Sequence, residues 1–205
     1  MRCPFKVPAI YGRTTINKLL RRTILTTSRR IMVVFSVLVL LIALDHGTKW
    51  LAISYLSNTQ SAYRFCGDTF RLQYAENTGA FLSLGANLPD GVRTTVMTGL
   101  NALILGSLVL YMFISKKITM LPLFAFSLVA AGGIGNLIDR IFRHGRVVDF
   151  MNMGLNVNQF HLRTGIFNVA DVAIMAGLFL IIGNEILPMR RQDNDKKKSS
   201  STKQM

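Results

Sequence analysis

Four aspartates stand in or beside apolar segments of the chain, at positions 45, 139, 149 and 171. A carboxylate at the centre of a membrane segment costs ~2.5–3.5 kcal/mol on insertion scales, so such residues usually serve a function. Asp149 lies in the loop beyond the third apolar segment and Asp171 has no basic residue at helical spacing, and we interpret the two as a functional pair. Two carboxyls held close share one proton, so one can activate water while the other protonates a peptide carbonyl. This chemistry would hydrolyse a peptide bond without a metal or a covalent intermediate.

Polar companions accompany these aspartates at helical spacing: Asp45 with Lys49, Asn136 with Asp139 and Arg140, and Asn168 with Asp171. Residues three or four apart share one face of a helix. The asparagines can orient a carboxylate or bind a substrate amide. For the pairs Asp45–Lys49 and Asp139–Arg140 two interpretations stay open, namely structural ion pairs between helix ends and a direct catalytic role.

Four apolar segments must position these residues, and they predict an all-α integral membrane protein built as one four-helix bundle. Half of the 205 residues are hydrophobic and the mean hydropathy is +0.37, yet the formal net charge is +14. This combination is typical of a chain whose apolar helices lie in lipid between basic flanks. The predicted spans are 31–52, 94–114, 118–138 and 166–187, within a membrane domain of 31–188. The last three are long enough to cross ~30 Å of hydrocarbon at ~1.5 Å per residue.

The distribution of basic residues predicts the orientation. Of the 24 Lys and Arg residues, 16 lie before residue 31, between the second and third spans, or after residue 188. Cytoplasmic segments are enriched in Lys and Arg, so both termini are predicted to be cytoplasmic. Residues 1–30 would form a basic cytoplasmic arm and 189–205 a basic, disordered cytoplasmic tail. All four aspartates then lie at the extracytoplasmic face.

The first outer loop contains a strand pattern. Phe70, Leu72 and Tyr74 occupy alternate positions, which is the period of a half-buried β-strand. A second outer loop of about 25 residues, between the third and fourth spans, contains RVVDF and Asp149.

Motifs of other functional classes are missing from the sequence. It contains no H-E-x-x-H, no G-x-S-x-G and no Gly-rich phosphate loop, and its two cysteines lack zinc spacing. We therefore expect no metal and no cofactor. The basic residues flank apolar runs and form no stripe with interleaved aromatics, so no nucleic-acid partner is expected. The GGIG run of the third span is better explained by close helix packing than by nucleotide binding.

Five ordered sequence blocks resemble the signature of the lipoprotein signal peptidase family: DHGTK (45–49), NTGAF (77–81), GGIGNLIDR (132–140), VVDF (147–150) and FNVAD (167–171). Each block alone is weak, but the ordered set is specific and covers residues 31–187. The resemblance implies an aspartyl endopeptidase of the bacterial inner membrane, signal peptidase II, with Asp149 and Asp171 as its catalytic residues. It also implies supporting roles for Asp45, Lys49, Asn77, Gly79, Asn136, Asp139, Arg140 and Asn168.

The resemblance further implies the substrate and the surroundings of the enzyme. The expected partners are lipidated prolipoproteins, cut just before a diacylglyceryl-modified cysteine, and membrane lipids, and the enzyme is expected to be monomeric. The loop with FRLQY would form a small extracytoplasmic β-structured cradle. Three features depart from the family pattern: an N-terminal arm that is either an addition or precedes a true start at Met32, a longer IFRHGR stretch, and a longer loop between Asp149 and Asn168. The two longer stretches would alter the substrate entrance.

Two other functions are compatible with acids in membrane segments. A small transporter could use them as a proton relay, but a relay needs ionisable groups throughout the depth of the membrane. The inner halves of the spans contain only Asn101 and the terminal Glu185, which favours a site at the outer face. A non-enzymatic assembly subunit could use the acids to pair helices. In that case asparagine at positions 149 and 171 would destabilise the bundle and affect no cleavage reaction.

Overall fold

The computed structural model describes residues 26–59, 61–78, 89–115, 118–157 and 160–202. Four helices and four strands follow one another along the chain in the order α1 (Thr27–Leu56), β1 (Tyr63–Phe65), β2 (Phe70–Asn77), α2 (Asp90–Ile114), α3 (Met120–Phe142), β3 (Val147–Val157), β4 (Phe160–Arg163) and α4 (Val169–Thr202). Each helix contains a stretch that is long and apolar enough to cross a membrane, which in α4 is Val169–Ile186.

The four predicted membrane helices are present, with shifted bounds. α1 begins at Thr27, four residues before the predicted start, because the Thr26 hydroxyl caps it by accepting from the Arg29 backbone N–H at 3.4 Å. α2 begins at Asp90 instead of residue 94, and α3 continues past residue 138 to Phe142. α4 begins at Val169, three residues later than predicted. The residue that caps its start belongs to the candidate active site.

The C-terminal segment differs from the prediction of a disordered tail over 189–205. The backbone of α4 continues as helix to Thr202. Residues 189–202 include several Arg, Gln and Lys residues, which have high helix propensity. Most of the predicted N-terminal arm, residues 1–25, lies outside the described residues.

α3 is the centre of the bundle and contacts each of the other three helices. Three of its glycines each face a different neighbour: Gly132 faces α4, Gly133 faces α2 and Gly135 faces α1. A Cβ atom at any of these positions would crowd the opposing helix; at Gly135 it would lie 2.8 Å from Asp45 Oδ2. The interpretation of GGIG as a close-packing segment is confirmed.

The start of α1 and the end of α2 lie at the same end of the bundle. Arg30 of α1 is buried, and its guanidinium donates to the backbone oxygen of Ser115, the C-terminal cap of α2, at 2.5 Å. The two helices are therefore antiparallel. Beside this contact lies an apolar core of Val34, Met112, Ile118, Leu123 and Ala130.

The strands form one antiparallel sheet in the order β1-β2-β3-β4 at the opposite end of the bundle. The predicted strand at residues 70–74 is confirmed as part of β2. The interpretation of residues around Asp149 as a loop is wrong, because this segment contains β3 and β4. Apolar residues alternate with Asn and Gly from Met151 to Val157, which is the strand period, and pairing with β2 satisfies the backbone. A small β-structured part beside the four-helix bundle, which the resemblance implies, is thus present.

The sheet is attached to the ends of two helices. Phe150 of β3 is buried against Ala52 and Leu56 of α1. Met151 of β3 also exchanges backbone hydrogen bonds with Phe167, just before α4 begins. β3 is therefore held directly above the ends of α1 and α4.

The close approach of α3 and α4 at Gly132 yields a first prediction. Gly132→Ala should lower the free energy of unfolding in detergent by about 1–3 kcal/mol, because the added methyl group meets the Ala170 backbone and the Ile174 side chain. The matched control is Gly106→Ala in α2, where an added Cβ has no atom within 4 Å, and it should not lower stability. Denaturant or thermal unfolding in micelles measures both. Equal losses in the two variants would contradict this packing.

Candidate active site

Asp149 is a buried residue of β3, with 2% of its surface exposed. Two side-chain amides donate to its carboxylate: Asn77 Nδ2 to Oδ2 at 3.0 Å and Asn168 Nδ2 to Oδ1 at 2.6 Å. Asn77 is the last residue of β2, which pairs with β3 at this point. The sheet therefore places one of the predicted supporting asparagines beside the aspartate.

Asp171 lies in the first turn of α4, and its position is set by the capping of that helix. The Asn168 side-chain oxygen accepts from the Asp171 backbone N–H at 3.0 Å, and Asp171 Oδ2 accepts from the Asn168 backbone N–H at 3.1 Å. This reciprocal pair is a capping box with an aspartate in the third position. The other oxygen, Oδ1, accepts from Asn136 Nδ2 of α3 at 2.9 Å. Both oxygens of Asp171 are thus held in place.

Asn168 joins the two aspartates. Its side-chain amide donates to Asp149 and its backbone N–H donates to Asp171. Its side-chain nitrogen is also 3.1 Å from Asn136 Oδ1. The predicted convergence of residues 149 and 171 at one end of the bundle is therefore confirmed, and a single residue lies between their carboxylates.

Burial raises the pKa of Asp149 from 3.8 to about 6. The negative charge of Asp171 raises this pKa as well, whereas the hydrogen bonds from Asn77 and Asn168 lower it. Asp149 consequently keeps its proton over a pH range in which an ordinary aspartate is ionised. A carboxyl that titrates near pH 6 can exchange a proton readily near neutral pH.

The buried ammonium group of Lys49 connects three helices. Its Nζ lies 2.7 Å from Asp45 Oδ2 in the same helix and 2.8 Å from Asp139 Oδ2 of α3, and it donates to Asn136 Oδ1 at 3.0 Å. Asp45 Oδ1 also accepts from the Ala170 backbone N–H in the first turn of α4. These contacts support the structural interpretation of the pair Asp45–Lys49.

Asp139 and Arg140 do not form the predicted ion pair. Asp139 pairs instead with Lys49 and, at 3.0 Å, with Arg143, a residue that the sequence pattern did not indicate. Adjacent residues of a helix point in different directions, whereas Asp139 and Arg143 are four apart and share a face. Arg140 interacts electrostatically with Asp171, Asp149 and, least strongly, Asp139, and its buried Nε has no hydrogen-bond acceptor among the described residues.

The last of the predicted supporting residues, Gly79, lies outside the described residues. Within the described ranges, no group of three or more His, Cys, Asp or Glu side chains could hold a metal ion. His46 is partly buried, with Nδ1 3.9 Å from Asp139 Oδ1.

Asp171 borders an apolar groove of about 580 Å³ that runs along an exposed side of α4. We call it the α4 groove; besides Asp171 it is lined by Met153, Phe167, Val172, Met175 and Phe179, among others. The site therefore adjoins a surface that suits an apolar ligand.

Residues 37–187 match the family described as signal peptidase (SPase) II. The chain belongs to the signal peptidase II family. The lipoprotein signal peptidase of Chlorobium luteolum is 39% identical over 166 residues, covering 77% of this chain and 95% of the relative. That of Pelodictyon phaeoclathratiforme is 37% identical over 160 residues (75% and 91%), and that of Borrelia hermsii is 33% identical over 144 residues (70% and 83%).

Solved structures of the same shape agree with this membership. One described as a bacterial membrane enzyme superimposes with a TM-score of 0.62 at 26% identity, covering 80% of this chain and 92% of the other. A second with the same description gives a TM-score of 0.60 at 26% identity, covering 74% and 91%. The region matched to the signal peptidase II family contains all ten residues selected from the sequence.

The ion cluster of Lys49 with Asp45 and Asp139 yields a second prediction for this signal peptidase II. Lys49→Met should destabilise the bundle by about 3–5 kcal/mol, because Asp45 and Asp139 would remain buried without their shared cation. The control is Arg64→Met, which removes an exposed cation 3.9 Å from Asp68 and should cost about 1 kcal/mol or less. Unfolding in micelles measures both. A small effect at Lys49 would contradict the central position of this cluster.

The hydrogen bond from Asn77 yields a third prediction. Asn77→Ala should raise the pKa of Asp149 above about 6, because the lost hydrogen bond favours the ionised carboxylate. The pKa can be followed by infrared titration of the protonated carboxyl band, which is assigned by its loss in Asp149→Asn. Asn101→Ala, in α2, is the control and should leave this pKa in place. An unchanged or lower pKa in Asn77→Ala would refute the assigned contact.

Proposed function

We propose that Asp149 and Asp171 are the catalytic pair of this signal peptidase II. The proposed substrate is a diacylglyceryl-modified prolipoprotein, which the enzyme cuts on the N-terminal side of the lipidated cysteine. One observation carries the proposal: Asn168 donates to both carboxylates, which holds them on opposite sides of one residue at the end of the bundle. The names of the relatives and the order of the sequence blocks support the substrate.

In the proposed reaction the two carboxyls share one proton. The ionised carboxylate removes a proton from a bound water molecule, whose oxygen attacks the scissile carbonyl carbon. The protonated carboxyl donates to the carbonyl oxygen, which gives a neutral tetrahedral intermediate. In its collapse the carboxyl that took the proton from water donates it to the leaving nitrogen, and the other carboxylate accepts a proton from a hydroxyl of the intermediate. These transfers release the amine of the cysteine and the carboxyl end of the signal peptide and restore the shared proton. The raised pKa of Asp149 supports this division of labour, because a shared proton is then available near pH 6.

Arg140 and Asn77 are proposed to hold the peptide backbone of the substrate. The Arg140 guanidinium interacts with both aspartates, and its Nε can still donate a hydrogen bond. Asn77 is exposed at the edge of the site while it donates to Asp149. A substrate carbonyl lying between these groups would be oriented towards the pair.

The remaining features of the proposal concern access and assembly. The α4 groove would receive apolar parts of the substrate that arrive sideways from the bilayer, since Asp171 borders it. The excess of basic residues at the other end supports an extracytoplasmic active site with both termini in the cytoplasm. One chain supplies both aspartates and their amide donors, which supports a monomer.

The catalytic proposal yields a fourth prediction. Asp149→Asn and Asp171→Asn should each reduce cleavage of a synthetic lipidated prolipoprotein by at least about 100-fold, because each removes one partner of the proton transfer. The control is Glu185→Gln, which changes an acid at the opposite end of the bundle and should cleave normally. Purified proteins are assayed in lipid, with and without a chelator, and their thermal unfolding is compared with that of the unsubstituted chain.

Normal cleavage by either asparagine variant would refute the catalytic pair. Loss of activity on chelation would refute the metal-free reaction. If both variants unfold together with their loss of activity, the aspartates serve to pair helices, and the assembly function replaces the catalytic one.

A further inference from the structure

The segment that leads from β4 into α4 is hydrogen-bonded to β3 at two points. The Thr164 backbone N–H donates to the Met153 oxygen at 2.8 Å, and the Thr164 hydroxyl accepts from the Met153 backbone N–H at 3.0 Å. Three residues later, Phe167 exchanges backbone hydrogen bonds with Met151 at 2.8 and 2.9 Å. Two residues of the leading segment therefore lie opposite a single residue of β3.

This mismatch has the form of a β-bulge, in which Gly165 and Ile166 lie opposite Asn152. A bulge adds one residue to a strand, bends it and changes the direction of the side chains that follow. A slip of one residue turns every later side chain to the other face. The bulge therefore sets the direction of Asn168, which follows two residues later and binds Asp149.

The Asn152 side chain occupies the bulge. It is buried, with 3% of its surface exposed, and its Nδ2 donates to the backbone oxygens of Thr164 at 2.7 Å and Gly165 at 3.3 Å. In the part of the chain that the structure describes, neither oxygen accepts a backbone hydrogen bond. The amide of Asn152 thus replaces the strand pairing that the extra residue interrupts, and it holds that residue in place.

Arg163 orients the amide of Asn152. Its Nη1 donates to Asn152 Oδ1 at 2.8 Å, and because the amide oxygen is bound to a cation, the amide nitrogen points to the bulge. The guanidinium of Arg163 lies against Gly154, where an added Cβ would be 2.8 Å from Arg163 Cζ. A glycine at this position leaves the room that the guanidinium needs.

This series of contacts ends on a permanent negative charge. Arg163 Nη2 donates to the backbone oxygen of Asp68 at 2.8 Å and to its carboxylate at 2.9 Å. Arg71 donates to the same carboxylate, and this hydrogen bond lowers the pKa of Asp68 to about 2. Asp68 therefore stays ionised over the pH range in which Asp149 titrates, and the anchor of Arg163 does not change with pH in that range.

We propose that Asn152 is a positioning residue for the candidate catalytic pair. By holding the bulge, it directs Asn168 between Asp149 and Asp171, and Arg163 keeps its amide in the required orientation. The inference rests on the proposed catalytic function of the two aspartates. Asn152 acts through Asn168, whose side chain donates to Asp149 at 2.6 Å and whose backbone N–H donates to Asp171 at 3.1 Å.

Loss of the Asn152 amide should change the site in a defined direction. Asp171 is also held by Asn136 of α3, so its charge should stay near Asp149. The hydrogen bond from Asn168 lowers the pKa of Asp149, and it should lengthen when the bulge is released. The pKa of Asp149 should therefore rise above about 6, and turnover should fall because the pair is no longer aligned.

Three variants of the full chain separate positioning from stability. Asn152→Ala removes the amide. Arg163→Met and Arg71→Met each remove one guanidinium from Asp68, and the two arginine side chains are almost equally exposed, at 24% and 23%. Arg163 also donates to Asn152, whereas both bonds of Arg71 go to Asp68. The measurements are infrared titration of Asp149, kcat and KM for a synthetic lipidated prolipoprotein, and thermal unfolding.

Asn152→Ala should lower kcat by about 10-fold or more and change KM by less than about threefold, because a displacement of ~1 Å at a reacting centre can cost ~100-fold. It should also raise the pKa of Asp149. Arg163→Met should act in the same direction on both quantities. Arg71→Met, the matched control, should leave kcat and the pKa of Asp149 in place although it loses the same charge.

Equal effects of the two arginine variants would overturn the proposal, because the charge around Asp68 would then act without Asn152. Unchanged kcat and an unchanged pKa of Asp149 in a folded Asn152→Ala would overturn it as well. If Asn152→Ala does not fold, the comparison of Arg163→Met with Arg71→Met decides the question.

Failure of the catalytic pair would give a different pattern. Normal cleavage by Asp149→Asn would refute the catalytic pair, while the infrared titration of Asn152→Ala would still report the contact between Asn168 and Asp149 without any substrate. Conversely, normal titration and turnover in Asn152→Ala would leave a loss of cleavage in Asp149→Asn intact.

Discussion

The burial of one ammonium group between two carboxylates determines how the active end of the bundle is arranged. Lys49 contacts Asp45 and Asp139, so three charges are removed from lipid as a cluster with hydrogen-bond partners. An ammonium can only donate, and it therefore requires the oxygen of Asn136 to face it. The amide nitrogen of Asn136 must then point the other way, towards Asp171. The ion cluster thus orients an amide, and the amide orients a candidate catalytic carboxylate.

The side chain at the start of α4 has two roles, because it caps the helix and also binds a candidate catalytic carboxylate. Asn168 caps the helix through its side-chain oxygen, and its side-chain nitrogen remains free to bind Asp149. Asp45 accepts from the buried Ala170 backbone N–H in the same first turn, where the positive end of the helix dipole favours an anion. Any shift of this helix start would change the separation of residues 149 and 171. Helix capping and candidate catalytic geometry are therefore the same constraint in this molecule.

The sheet extends this arrangement beyond the helix ends. Its register gives one face to apolar side chains and the other to arginines around Asp68. Pairing of β2 with β3 also brings Asn77 to Asp149. The same strands thus contribute to the candidate site and present an apolar surface beside the groove that leads to it.

The sequence by itself determined the four membrane helices, the strand at residues 70–74 and the convergence of the aspartates, because hydrophobic length and local periodicity are properties of short segments. It also contains two signals that indicate further parts of the site: the alternation in β3 and the Asn168-x-x-Asp171 capping pattern. Only the tertiary structure decided that Asp139 forms its ion pairs with Arg143 and Lys49, and that Arg140 interacts most strongly with the charges of Asp171 and Asp149. Helical spacing allows several candidate partners for each charged residue. Which of them is the partner depends on which neighbouring helix packs against that residue.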